Sequence, residues 1–207
     1  MGVAGIVLAA GSGERFGAPK QFAELGGRRL VDLALELVLE TCDLTVLALP
    51  PDVAWDGPPV ATVVEGGPTR TETTRRALRQ VSDDHDVVVL HDCVRPLATS
   101  TQVAAAIEAV RGGADAAISA WEVSDTVKQV QADGSLRHVG REGYVLVQSP
   151  MAFRTAMLRR VFSEFDEVPI EETIAVERIG GRVVPVSGDP WSHHVVDPSD
   201  LDRFRRL

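Results

Sequence analysis

The chain has 207 residues, a formal net charge of −9, and 44% hydrophobic against 25% charged residues. That length suits one domain over residues 1–207 with a sizeable core, and the acidic balance argues against a broad grip on nucleic acid. A few cations focused in one cleft can still hold a small anion, and no apolar run approaches the roughly 20 residues of a membrane span, so a cytoplasmic protein without a membrane partner is expected.

In chain order, the first expected strand is Val3–Leu8, within MGVAGIVLAAG, which lacks the basic start of a signal peptide. A glycine-rich loop follows, then a helical pattern over Arg29–Glu40 (RLVDLALELVLE) and a strand at Leu44–Leu49. The Pro-rich PPDVAWDGPP (Pro50–Pro59) reads as a surface loop, and Ala61–Val64 as the next strand. Thr71–Val81 is helical, and Val87–Leu90 (VVVL) is a continuous apolar run of the kind buried on both faces of a parallel sheet. A helix over Ser100–Arg111 is expected to start at a Ser100 cap and close at Gly112-Gly113. Ala116–Ala120 is a strand, and Asp125–Val147 reads as two extended runs around the turn signal Asp133-Gly134. A helix at Glu172–Ile179 and a strand at Arg182–Val186 complete the pattern. Strands alternating with helices of about ten residues predict an α/β fold with a mostly parallel twisted sheet flanked by helices, interrupted by a β-hairpin at about 124–148. That hairpin is either an arm, over a site or onto a second subunit, or a plain surface feature. Cys42 and Cys93 lie far apart and are expected to be free thiols.

The loop LAAGSGERFGAPKQF (Leu8–Phe22) admits several owners. A P-loop needs GxxxxGK[ST], and here Lys20 follows Pro19 with no hydroxyl residue after it. A dinucleotide fingerprint needs a third glycine where Phe16 stands, and the second strand ends in prolines rather than in an acid for a ribose. A nucleoside triphosphate held as substrate fits better. Gly11 and Gly13 let backbone N–H groups approach phosphate oxygens, Arg15 and Lys20 add two cations, and Pro19 stiffens the loop before Lys20. A plain glycine turn with solvated cations is the alternative. Asp92 ends an apolar strand, where ligand-facing residues of open α/β sheets collect. Its carboxylate can hold a magnesium bridging triphosphate oxygens, or merely cap a local turn. Arg95 can grip a phosphate with its fork or form a surface ion pair. His193-His194 do not make a zinc site, because neighbours on an extended segment point to opposite sides and no third ligand lies at suitable spacing.

The loop resembles the signature AAGxGxRxxxxxPKQ of the 2-C-methyl-D-erythritol 4-phosphate cytidylyltransferases and the related polyol-phosphate cytidylyltransferases. Further blocks follow in the family's order: VVEGGPTRTETTRRAL (Val63–Leu78), VVVLHDCVRP (Val87–Pro96), VSDTVKQV (Val123–Val130), Arg141 with VQSPMAF (Val147–Phe153), and SGDPWSHHVVDPSDL (Ser187–Leu201). The resemblance implies a Rossmann-like nucleotidyltransferase fold and transfer of CMP from CTP to a sugar or polyol phosphate, with 2-C-methyl-D-erythritol 4-phosphate the leading acceptor, and release of pyrophosphate. It implies that Ala9, Ala10, Gly11, Ser12 and Gly13 line the nucleotide. Gly66 and Gly67 would allow close backbone approach at the base, Thr73 would offer it a hydroxyl, and Arg70 would support that pocket. Arg15, Lys20 and Asp92 would carry catalysis, with Mg²⁺ at Asp92. Arg95, Thr126, Arg141 and His194 would meet the acceptor, Thr126 and Arg141 from the arm of the other subunit of a homodimer.

Departures from the pattern cluster on the acceptor side. His194 stands where the family has a lysine, and an imidazole is only partly charged at neutral pH. Val196 replaces a threonine, Ile170 the threonine of the "TDEA" segment, and Met151 the glutamine of "TPQ". Cys93-Val94 replace a small pair, and Pro68 an acidic residue. A cytidylyltransferase with another acceptor, or a weakened paralogue that binds nucleotide in a regulatory role, is therefore the alternative.

Overall fold

A computed structural model describes residues 1–168 and 171–204. Strand β1 (Gly2–Leu8) leads through the glycine loop to a short pair, β2 (Glu24–Leu25) and β3 (Arg28–Arg29), and then to α1 (Leu30–Thr41). Next come β4 (Leu44–Leu49), β5 (Thr62–Glu65), α2 (Arg70–Leu78), β6 (His85–Asp92), α3 (Ser100–Arg111) and β7 (Ala116–Glu122). The arm strands β8 (Val127–Val130) and β9 (Leu136–Val139) precede β10 (Val145–Arg154), α4 (Thr155–Glu164), α5 (Glu172–Arg178), β11 (Val183–Ser187) and α6 (Pro198–Phe204). The main sheet runs β11-β7-β10-β6-β1-β4-β5. Its pairs are parallel except the two that β10 makes with β6 and β7.

Helices cover both faces, which is why the central strands are apolar almost without interruption. Helix α1 buries Leu30, Val31, Ala34, Leu35 and Val38, a helical stripe, against Val7, Leu47 and Leu49, while its Leu37 packs with Val3, Val87 and Val89. On the opposite face α2, α4 and α5 pack over Ile6, Val46, Leu90 and Phe153. Helix α3 covers Val87, Val89 and Ala152. Its cap is one residue earlier than the sequence suggested. Thr99, not Ser100, accepts from the Gln102 backbone, and the Gln102 side chain accepts from the Thr99 backbone at 2.8 Å, closing a capping box.

The hairpin forms around Asp133-Gly134, with Gly134 at φ 81° and Asp133 Oδ1 accepting from Ser135 N at 2.9 Å. Strands β8 and β9 pair only with each other, as a two-stranded sheet apart from the main one. Because the chain leaves the sheet along β7 and returns through this arm, β10 enters antiparallel, a reversal that periodicity does not reveal. Helices α4 and α6 are further elements that the sequence pattern does not announce: in α4 the arginines of TAMLRRVFSE interrupt the apolar run, although Leu158 and Val161 are buried. Cys42 and Cys93 are free, and among the described residues no helix is long and apolar enough to cross a membrane.

Candidate active site

The C-terminal ends of β1, β4, β5 and β6 lie side by side in the sheet, where open α/β sheets place their ligand crevice. A cleft of about 620 Å³ opens there, lined by Ala10, Gly11, Ser12, Arg15, Lys20, Gly67, Arg70, Thr73, Asp92 and His194 among others. Ala9, by contrast, is buried in the core under the loop.

The loop is shaped by its glycines. Gly13 has φ 71°, and a Cβ there would lie 1.9 Å from Ala18 O, so no other residue fits. Phe16 N and Gly17 N both donate to Gly13 O, at 2.8 and 3.0 Å. At Gly11 a Cβ would meet nothing within 4 Å, so its missing side chain leaves the cleft wall open. Among the described residues, the N–H groups of Gly11, Ser12 and Gly13 have no protein acceptor. Such donors suit phosphate oxygens.

Lys20 Nζ donates to Val195 O at 2.9 Å and lies 3.4 Å from His194 Nε2. Burial, and after it the neighbouring Arg15, pull its pKa below the usual lysine value. His194 is neutral rather than partly charged: burial, with Lys20 and Arg95 close by, pushes its pKa down to about 4. An imidazole that accepts from an ammonium has no proton of its own on that nitrogen, which fits the geometry.

Asp92 is paired with Arg70, whose Nη1 donates to its Oδ1. Burial alone would raise the Asp92 pKa, but the Arg70 guanidinium outweighs it and holds the carboxyl below the usual range. The second arm of the fork, Arg70 Nη2, donates to Glu172 Oε2 at 3.0 Å. Among the described residues no three His, Cys, Asp or Glu side chains gather as a standing metal centre. Asp92, with Glu14 also on the cleft wall, is nevertheless a donor set that suits Mg²⁺ brought in by phosphates, because this ion keeps most of its waters and takes one or two protein carboxylates.

Two expectations at the base pocket change. The Thr73 hydroxyl is used within the protein: it accepts from Gly67 N at 3.0 Å and donates to Thr69 O at 2.9 Å, so it shapes the turn rather than offering a free donor to a base. Gly66 and Gly67 are needed for close approach to protein. Added Cβ atoms would lie 2.2 Å from Ala10 Cβ and 2.3 Å from Glu72 Cγ.

A smaller cavity of about 230 Å³ adjoins the cleft and shares Arg70, Asp92 and His194 with it. Arg95, Gln148, Ser149, Met151 and Glu171 are also in its lining. The fork of Arg95 is already engaged, donating to Ser192 O at 2.6 Å and Val147 O at 3.1 Å. Arg95 therefore ties two segments together and offers charge, not a free bidentate grip. Thr126 and Arg141 are exposed on the arm, line neither cavity, and Arg141 donates to Ser124 O. One chain alone does not bring them to the site. Ile170 lies outside the described residues. Glu172 belongs to this constellation without any sequence signal for it: it is 1% exposed and joined to Arg70 across a separation of 102 residues, and no local spacing marks such a pair.

The sequence model of the family described as 2-C-methyl-D-erythritol 4-phosphate cytidylyltransferase (IspD) matches residues 3–205. A relative of that name from Rhodococcus jostii (strain RHA1) is 33% identical over 214 residues, covering 99% of this chain and 94% of that protein. Another from Frankia casuarinae is 37% identical over 208 residues, covering 96% and 78%. The crystal structure of the protein of the same name from Thermus thermophilus superposes with a TM-score of 0.88 at 30% identity, covering 100% of this chain and 98% of that one.

Proposed function

Because the chain belongs to the 2-C-methyl-D-erythritol 4-phosphate cytidylyltransferase family, we propose a residue-level account of how its cleft carries out that family's reaction. The enzyme transfers CMP from CTP to 2-C-methyl-D-erythritol 4-phosphate and releases pyrophosphate. An oxygen of the acceptor phosphate attacks the α-phosphorus of CTP, and the bond from that phosphorus to the β-phosphate oxygen breaks. A phosphate monoester, with a second pKa of about 6, is largely dianionic at neutral pH and needs no general base. Catalysis then consists of positioning and of neutralising charge on the triphosphate.

In this account the N–H groups of Gly11, Ser12 and Gly13 cradle the triphosphate, with Ala10 beside them and Ala9 supporting the loop from the core. Lys20 and Arg15 face its charge. Gly67, Thr73 and Arg70 shape the base end of the cleft. Asp92 would hold Mg²⁺ against the phosphates, and the ion, when bound, supplies charge neutralisation there. The acceptor occupies the smaller cavity, with its phosphate turned toward Asp92 and the neutral His194. Arg95 supplies charge from behind. The observation that carries this reading is that the open glycine loop, Lys20 and Asp92 converge on one cleft, which shares Arg70, Asp92 and His194 with a second cavity.

We also propose a homodimer in which the arm crosses to the other subunit. Val130 at 71%, Leu136 at 65% and Leu146 at 58% exposure put apolar surface on or at the base of the arm, and an apolar patch of this kind suits a partner protein. Thr126 and Arg141 would then complete the acceptor cavity of the neighbouring site.

Pyrophosphate release from CTP tests the function. Turnover is expected with 2-C-methyl-D-erythritol 4-phosphate and not with the unphosphorylated alcohol. CTP binding without turnover on any of a panel of sugar and polyol phosphates would favour the weakened paralogue instead.

A further inference from the structure

Glu172 is a carboxylate that lines neither cavity and is 1% exposed. Both of its oxygens are satisfied: Oε2 by Arg70 Nη2 at 3.0 Å and Oε1 by Thr74 Oγ1 at 2.9 Å. Thr74 Oγ1 also lies 3.0 Å from Arg70 O, so one turn of α2 presents both the guanidinium and the hydroxyl to this buried acid. The other arm of the same guanidinium sits on Asp92 Oδ1. A cation is thus shared between two carboxylates, one sealed in the protein and one facing the cleft.

Sharing matters because a half-buried arginine left without a partner is costly. With Asp92 as its only partner, Arg70 would hold that carboxylate closed and would repel any second cation. With Glu172 behind it, Arg70 keeps a charged partner whether or not Asp92 is engaged. We propose that Glu172 is a positioning residue for the reaction: it holds Arg70 between two carboxylates, and so leaves Asp92 able to exchange the guanidinium for the divalent cation that accompanies CTP. The inference rests on the reading that Asp92 meets that cation.

The test uses the full chain, CTP without acceptor, and Mn²⁺ as the probe, with free Mn²⁺ read from its EPR signal. In the CTP complex, Glu172→Gln, which keeps the shape but removes the charge, should weaken Mn²⁺ binding on the order of tenfold, as one uncompensated positive charge near the cation implies. Binding of metal-free CTP, followed by equilibrium dialysis in EDTA, should be unchanged or tighter, because the same charge attracts triphosphate. A merely structural role would weaken both. Glu172→Asp should restore part of the Mn²⁺ affinity. Should Glu172→Gln not fold, Thr74→Val, which loosens the acid without removing it, should shift Mn²⁺ affinity in the same direction by about threefold. Wild-type Mn²⁺ affinity in these variants, or an equal loss of metal-free CTP binding, overturns the proposal. Asp92→Asn separates the layers: if it loses Mn²⁺ affinity while Glu172→Gln does not, only the role of Glu172 fails, and if it keeps wild-type affinity the reading of Asp92 fails with it.

Discussion

The glycine loop and the hairpin arm both leave the sheet at the edge that carries the cleft, but they are held in opposite ways. The loop is tied within its own chain: Phe16 and Gly17 return to Gly13 O, Phe22 N donates to Pro19 O, and Lys20 reaches across to Val195 O. The arm bonds chiefly to itself, strand β8 to β9, and carries Val130 and Leu136 into solvent. The proposed nucleotide part of the site is therefore held within a single chain, while the arm presents its proposed acceptor side chains outward. Nucleotide binding should be insensitive to assembly, and acceptor use should depend on it.

The largest expected effect attacks the self-contained part. Lys20→Ala should lower kcat for pyrophosphate release by about 10³-fold, the scale set by removing one charged donor from a preorganised anion site. Arg141→Ala should cost about fiftyfold in kcat/KM for the acceptor, a charge-assisted contact, with little change in CTP binding. Mixing the two impaired variants sharpens the comparison. If the arm crosses, mixed dimers contain one intact site each, and activity should recover to about a quarter of wild type. No recovery, with the variants shown to exchange subunits, would place Arg141 at its own chain's site.

Gly13→Ala is smaller. It forces a side chain into the left-handed region against Ala18 O, and should raise the CTP dissociation constant about thirtyfold at a strain cost of about 2 kcal/mol. The smallest effect concerns histidines. His91, fully buried, and His194 both sit near 4 against an ordinary value of 6.5, burial being the main cause in each. Between those values the unfolded chain takes up protons that the folded chain refuses, so stability is full above pH 6.5 and declines as pH falls toward 4. Urea midpoints measured from about pH 7 to about pH 5 should fall, less steeply in His91→Gln. Activity should show no inflection from His194 between about pH 6 and 8.

Local chemistry accounts for what the sequence revealed. The buried run ending at Asp92, the glycine spacing before Lys20 and the Asp133-Gly134 turn are signals that neighbours in the chain carry, and each lies where it was expected. What escaped is long-range. The direction of β10 follows from the route through the arm, and the Arg70–Glu172 contact joins residues far apart in sequence. The Thr73 hydroxyl was legible as a hydroxyl, but its engagement with Gly67 and Thr69 depends on how the Gly66-Gly67 turn folds over α2. At Arg95 the residue type suggested a phosphate grip, and only packing reveals that two carbonyls occupy its fork.

The segment Ser192–Val195 closes the floor of the cleft from the far end of the chain: Ser192 O accepts from Arg95, Val195 O from Lys20, and Val195 N donates to Val94 O at 2.8 Å. During synthesis these residues leave the ribosome only after the rest of the sheet has been made. A released chain ending before residue 192 would keep every strand of the main sheet yet leave Lys20 without its anchor. The anchor of Lys20 would then be among the last parts of the cleft to form.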